Sequence, residues 1–273
     1  MRSLSRLPPH RAALLALLAG LCLAGTCLGP VLISDSQERE MGLTLVGELE
    51  GGEDFVLLSD PEVDAYINEV AGRIIQASPL QRSFPFTFKV VVNDQVNAFA
   101  LPGGFCYVQT GLITAAETES ELVGVIAHEV SHVTCGHHRR ALANQVLIQT
   151  AEGIVFNEES PFIAVAAARI ASGLGMLRFS RTQESEADRV AVEAMLRAGW
   201  NPRGLRDFFE TLHEIEGREP GRIEGLLSTH PATTQRIAEI DAMIESAASR
   251  SDLISDTPQF HFVQARVESL IGQ

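Results

Sequence analysis

His128-Glu129-Val130-Ser131-His132, preceded by Glu121-Leu122-Val123-Gly124-Val125-Ile126-Ala127, is the stretch on which the reading of this chain turns. The run before the first histidine is apolar and helix-forming. On an α-helix, residues four apart stand one above the other on the same face, so both imidazoles reach one point in space with Glu129 beside them. This is the HExxH arrangement, in which two histidines hold a zinc ion and the glutamate serves as general base. A catalytic zinc takes three protein ligands and keeps a position for water, so a third ligand must be found elsewhere in the chain.

Two candidates compete. His138, ten residues after His128, would complete HExxHxxGxxH, but that pattern needs glycine at position 135, where this chain has Cys135 and brings Gly136 one place late. No convincing Met-turn follows. Glu184 lies in Arg181-Thr182-Gln183-Glu184-Ser185-Glu186-Ala187-Asp188, and the apolar positions Val190, Val192, Met195 and Leu196 predict a helix running on to Ala198. Such a helix presents Glu184 to the metal and puts Asp188 one turn away, placed to accept a hydrogen bond from the outer nitrogen of a ligating histidine. Alternatively, Glu184 and Glu186 are solvated acids at the positive end of a helix dipole. With HExxH present, Glu184 is the favoured third ligand.

With these residues in view, the chain resembles the gluzincin metallopeptidases of the HtpX and CAAX-protease type. The resemblance rests on HExxH, on Glu184-x-x-x-Asp188, on Thr229-His230-Pro231 through Arg236, on Asn97-Ala98-Phe99-Ala100-Leu101-Pro102-Gly103-Gly104-Phe105, and on Val133-Thr134-Cys135-Gly136-His137. It runs from about Ser34 to the last thirty residues. Within the family it is nearest the compact exported branch of BepA and YcaL, without the helical-repeat tail of the former. The resemblance implies an α+β, mostly α-helical, zincin-like domain with a small sheet beside the HExxH helix. It implies one Zn2+ per chain held by His128, His132 and Glu184. It also implies that His230 faces the metal, either donating to the oxyanion or filling the fourth position and silencing the enzyme. The segment Asn97, Ala98, Phe99, Ala100 is expected to lie beside the cleft, where an extended substrate can pair with it through main-chain hydrogen bonds; an ordinary core hairpin is the alternative.

The remaining sequence bounds this picture. The net charge of −14 argues against nucleic acid as a partner, and the body is more acidic still because Arg2, Arg6 and Arg11 stand in the leader. After them, Ala12 to Ser34 carries no charge, so residues 1–34 read as a signal peptide or an N-terminal membrane tether, with Cys27 in an imperfect lipobox. The expected place is the bacterial periplasm or envelope. Residues 35–273 read as one domain, with helices over 35–50 and Pro61 to Ala77 and strands over 86–92, 97–101 and 106–110. Pro161 to Met176 is almost wholly apolar and too short to span a bilayer comfortably, so it reads as a buried helix, with a mobile cover over the cleft or a surface that dips into lipid as the alternatives. Cys106 and Cys135 could form a disulfide in an oxidising compartment, or Cys135 could sit behind the metal.

The expected activity is zinc-dependent endoproteolysis of unfolded or misassembled envelope proteins. The alternative is a chaperone or assembly factor that grips unfolded strands around a self-inhibited zinc site. The sequence does not speak to oligomeric state.

Overall fold

The computed structural model describes residues 33–143, 178–231, 233–246 and 252–272. Residues 1–32, most of the expected signal peptide or tether, and the apolar stretch from Pro161 to Met176 lie outside them. In chain order the elements are α1 (Asp35–Glu50), α2 (Pro61–Ala77), β1 (Thr87–Val91), β2 (Ala98–Leu101), β3 (Phe105–Gln109), α3 (Thr110–Ala115), α4 (Glu119–Thr134), α5 (Arg181–Ala198), α6 (Arg203–Arg218), α7 (Glu224–Thr229), α8 (Thr234–Ser246) and α9 (Pro258–Ile271). Among the described residues the fold is mostly helical with one small sheet. No helix there is long and apolar enough to cross a membrane.

The helix starts follow capping chemistry. Ser34 and Ser180 form capping boxes with Gln37 and Gln183, and the Asp60 carboxylate caps α2 with Pro61 at the first helical position. Helix α4, which carries HExxH, is buried along its whole length. Its first turn holds two buried acids, which the positive helix end favours. Tyr66 Oη and Trp200 Nε1 donate to Glu119, and Thr211 Oγ1 donates to Glu121. Helices α5 and α6 pack on its flanks. The approach to α6 is so close that it requires missing side chains. A Cβ on Gly124 would stand 2.7 Å from Leu205 Cα, and one on Gly204 would stand 2.2 Å from the Ser120 carbonyl oxygen.

In the sheet, β3 is central, parallel to β1 and antiparallel to β2. The outer edge of β1 is covered by the preceding loop, through Leu58 N–H to Val90 O and Val92 N–H to Val56 O. The edge of β2 faces α4. Gln109 N–H donates to Asn97 O, so Asn97, Phe99 and Leu101 pair with β3 while Ala98 and Ala100 turn their main-chain groups the other way. The sheet also ties down α1. Glu38, fully buried, pairs with Arg82 and accepts from Gly103 N–H, while Arg82 and Arg139 both bind Asp35 at 2.9 and 2.8 Å.

The thiols of Cys106 and Cys135 are both free. Cys106 is buried on β3 and Cys135 caps α4, and the disulfide does not form. The run Ser228-Thr229-His230-Pro231, which reads as a helix start because proline suits a first helical turn, does not begin a helix: His230 is the C-cap of α7, and α8 starts only at Thr234.

Candidate metal centre

Four side chains converge where α4, α5 and the turn after α7 meet. His128 and His132 come from one face of α4, Glu184 from the first turn of α5, and His230 from the end of α7. One donor atom from each lies within 4.8 Å of the others. The His128 and His132 Nε2 atoms are 3.0 Å apart, and His230 Nδ1 is 3.2 Å from His128 Nε2 and 3.1 Å from Glu184 Oε1. Glu184 oxygens stand 3.4 Å from His128 Nε2 and 3.5 Å from His132 Nε2. A tetrahedral site with ligands about 2.0–2.1 Å from the ion has donor-to-donor edges of roughly 3.3 Å. The observed separations match that edge length, so nitrogen and carboxylate donors are set for a small cation.

The supporting contacts are equally specific. His128 Nδ1 lies 2.9 Å from Asp188 Oδ1. Arg236 grips Asp188 with Nε and Nη2, both at 2.7 Å, reaches Glu184 Oε2 at 2.8 Å, and donates to the Pro231 carbonyl at 3.1 Å. By sequence alone, Asp188 and Glu186 are both within plausible reach of Arg236 as ion-pair partners. Asp188 is the one, because Glu184 and Asp188 are four apart on α5 and share a face, whereas Glu186 points elsewhere.

On the far side of His132 lies an arrangement without an assigned role in the sequence analysis. Gly136, with φ of +71°, turns the chain after α4 in the left-handed region that suits glycine. His137 thereby folds back so that its Nδ1 is 2.8 Å from His132 Nδ1, and its Nε2 is 3.1 Å from Glu186 Oε2. Arg140 Nη2 binds the same oxygen at 3.1 Å. Phe179 stacks on the His132 ring, with centroids 4.0 Å apart. Only the short spacing from His132 to His137 could have signalled this pairing. His138 does not join the cluster; its ring reaches the Ala100 backbone instead.

Glu129 sits beside the four donors. Its Oε2 accepts the Ala100 N–H of β2 at 3.1 Å, and its Oε1 is 3.5 Å from His230 Nε2. Asn97 is buried with an unpartnered side-chain oxygen, and Phe99 stacks on Tyr107 at 5.1 Å. The donors are buried: Glu129, His132, Glu184 and His230 are all nearly inaccessible, and among the described residues they adjoin a cavity of about 30 Å³ between α4 and α6 and a larger one of about 280 Å³ lined by Phe179, Glu184, Pro231 and Arg236.

Burial dictates the charge states. It pushes the Glu129 carboxyl above its ordinary value and holds His137 down to about 4 and His138 to about 3. Burial also opposes charge on His128, but hydrogen bonds to Asp188 and Glu184 outweigh it and lift the imidazole to about 9. For Glu184 and Asp188, burial is likewise overcome, by His128 and His230 for the first and by Arg236 and His128 for the second, and both are depressed.

Comparison with known proteins agrees with the motifs. Residues 58–244 match the family described as Peptidase family M48. The chain is 32% identical over 251 residues to the beta-barrel assembly-enhancing protease of Escherichia coli K12, covering 89% of this chain and 50% of that protein. It is 30% identical over 165 residues to the metalloprotease YcaL of the same organism, covering 59% of this chain and 63% of YcaL. It is 29% identical over 193 residues to the mitochondrial metalloendopeptidase OMA1 of Schizosaccharomyces pombe, covering 67% and 53%. The chain thus spans about half the length of the first of these relatives.

Proposed function

This chain belongs to peptidase family M48, a family of metal-dependent peptidases, and from that premise we propose that it is a zinc endopeptidase acting on unfolded polypeptides. His128, His132 and Glu184 would hold one zinc, and Asp188 would orient His128. Two histidines and a carboxylate at tetrahedral spacing suit zinc. The observation that carries the reading is Glu129: a buried carboxylate beside the donor cluster, bound to a strand edge, with no packing task that a glutamate would serve.

When bound, the metal polarises the scissile carbonyl and makes water acidic enough to attack near neutral pH. Glu129 takes the proton of the attacking water and returns it to the leaving amine, and its raised pKa brings it nearer the pH at which such transfer is efficient. Asp188, fixed by Arg236, holds the His128 tautomer. The segment from Asn97 to Ala100 would give an extended substrate a strand to pair with once the Ala100 N–H leaves Glu129, to which it is bonded at 3.1 Å.

The burial of the centre and the position of His230 Nδ1 at the fourth corner favour a self-inhibited resting form. A peptide would reach the metal once His230 leaves the fourth corner. His230 is then free to donate to the tetrahedral oxyanion. The name of the Escherichia coli relative ties that protein to β-barrel assembly. Together with the signal-like leader, this supports a reading in which the substrates of the present chain are exported, unfolded envelope proteins and the protein itself works in the bacterial envelope or periplasm.

The test is degradation of an unfolded model protein by the zinc-loaded chain, beside Glu129→Gln and His230→Ala. The parent should cleave slowly, His230→Ala faster, and Glu129→Gln not at all. Equal cleavage by Glu129→Gln would remove the proposed base. Zinc binding without cleavage by the parent or by His230→Ala would leave the strand-gripping assembly factor as the surviving function.

A further inference from the structure

We propose that His137, backed by Glu186 and Arg140, is a positioning residue that fixes the ring of His132 for metal binding. The inference rests on the reading of His132 as a ligand. The Nδ1 atoms of His132 and His137 lie 2.8 Å apart in a fully buried setting, so one proton must sit between them. A neutral imidazole carries one N–H and one lone pair. If His132 gives its Nε2 lone pair to the metal, its proton is on Nδ1 and is donated to His137. His137 then accepts through Nδ1, carries its own proton on Nε2, and donates it to Glu186 Oε2 at 3.1 Å. Arg140 holds that oxygen at the end of the relay. A single protonation pattern satisfies every member, and it is the one in which the His132 lone pair points at the other three donors.

The two histidines of HExxH are therefore oriented by different devices. His128 meets a buried carboxylate directly, with Asp188 locked by Arg236. His132 meets its carboxylate through a second imidazole, and that carboxylate is about one-third exposed. Glu186 thus lets the strength of the buried ligand be set from near the surface. Gly136 is what makes the relay reachable, since a left-handed residue there returns His137 over His132 within five positions.

The experiment measures zinc affinity of the full chain by competition with a chromophoric chelator, together with unfolding of the zinc-free form. His137→Leu fills the volume but offers no acceptor, and about 10–100-fold weaker zinc binding is expected. His137→Asn restores an acceptor near the Nδ1 position and should stay within about threefold of the parent. Glu186→Gln, altered near the surface, should weaken zinc several-fold while the zinc-free stability stays close to that of the parent. Parental affinity in His137→Leu, or equal weakening in the leucine and asparagine variants, would overturn the positioning role. If neither His137 variant folds, unchanged affinity in Glu186→Gln overturns it. His132→Ala is the control: zinc held as tightly without that imidazole would instead overturn the metal reading on which the relay depends.

Discussion

Arg236 offers the sharpest stability prediction. Its guanidinium is buried, donates twice to Asp188 at 2.7 Å, and stands 2.8 Å from Glu184. Replacing it with methionine keeps a similar length but leaves two buried carboxylates without their cation. Removing one partner of a buried pair costs about 3–5 kcal/mol. For a domain of this size that is a fall in the unfolding midpoint of about 10 °C. The loss should be largest in the zinc-free protein, because the metal would share the charge of Glu184 when bound. Arg236→Lys retains the charge without the planar fork and should fall between the two. Denaturant and thermal unfolding, each with zinc and with a chelator, give the four comparisons. A zinc-free Arg236→Met within about 1 kcal/mol of the parent would refute the claim that this ion pair organises the centre.

Three further outcomes follow from the same geometry. His128 is lifted from 6.5 to about 9, so in the zinc-free protein its contribution is fully present below pH 6.5 and is lost as pH rises through 9; chelator-treated protein should lose about 3 kcal/mol across that window in denaturant titrations. Zinc must displace that proton, so the apparent affinity should strengthen roughly tenfold per pH unit below 9, with proton release measurable by calorimetry in buffers of different ionisation heat. Gly204→Ala drives a Cβ against the Ser120 carbonyl and should destabilise the fold by about 1–3 kcal/mol; unchanged stability would mean that α4 and α6 have room to separate.

The local elements were legible because their signals are local. Asp60 and Pro61 mark the start of α2, and the apolar spacing from Val63 to Ile74 carries it, so its bounds agree to the residue. The strands were read to within a residue or two from alternation and the glycine turn after Leu101. Local signals mislead for the run Ser228-Thr229-His230-Pro231. Pro231 is good first-turn chemistry, but α7 ends one residue before His230 and α8 waits until Thr234, a break with no strong periodicity to announce it. Whether Cys106 and Cys135 pair was open in the sequence, because two cysteines in one chain say nothing about the distance between β3 and the end of α4.

By itself, the sequence determined the chemistry: HExxH on an apolar helix, with Glu184 and Asp188 one turn apart on another, specifies donors whose spacing along each helix is set by 3.6 residues per turn. What it could not determine is anything that needs two helices to be placed relative to each other. Whether Arg236 binds Asp188 or Glu186, whether His230 enters the donor set, and whether His137 backs His132 depend on how α4, α5 and the α7 turn pack. Gly124 and Gly204 set how closely α6 meets α4, and Gly136 sets where the chain turns after it. Those relations are long-range, and only the folded core fixes them.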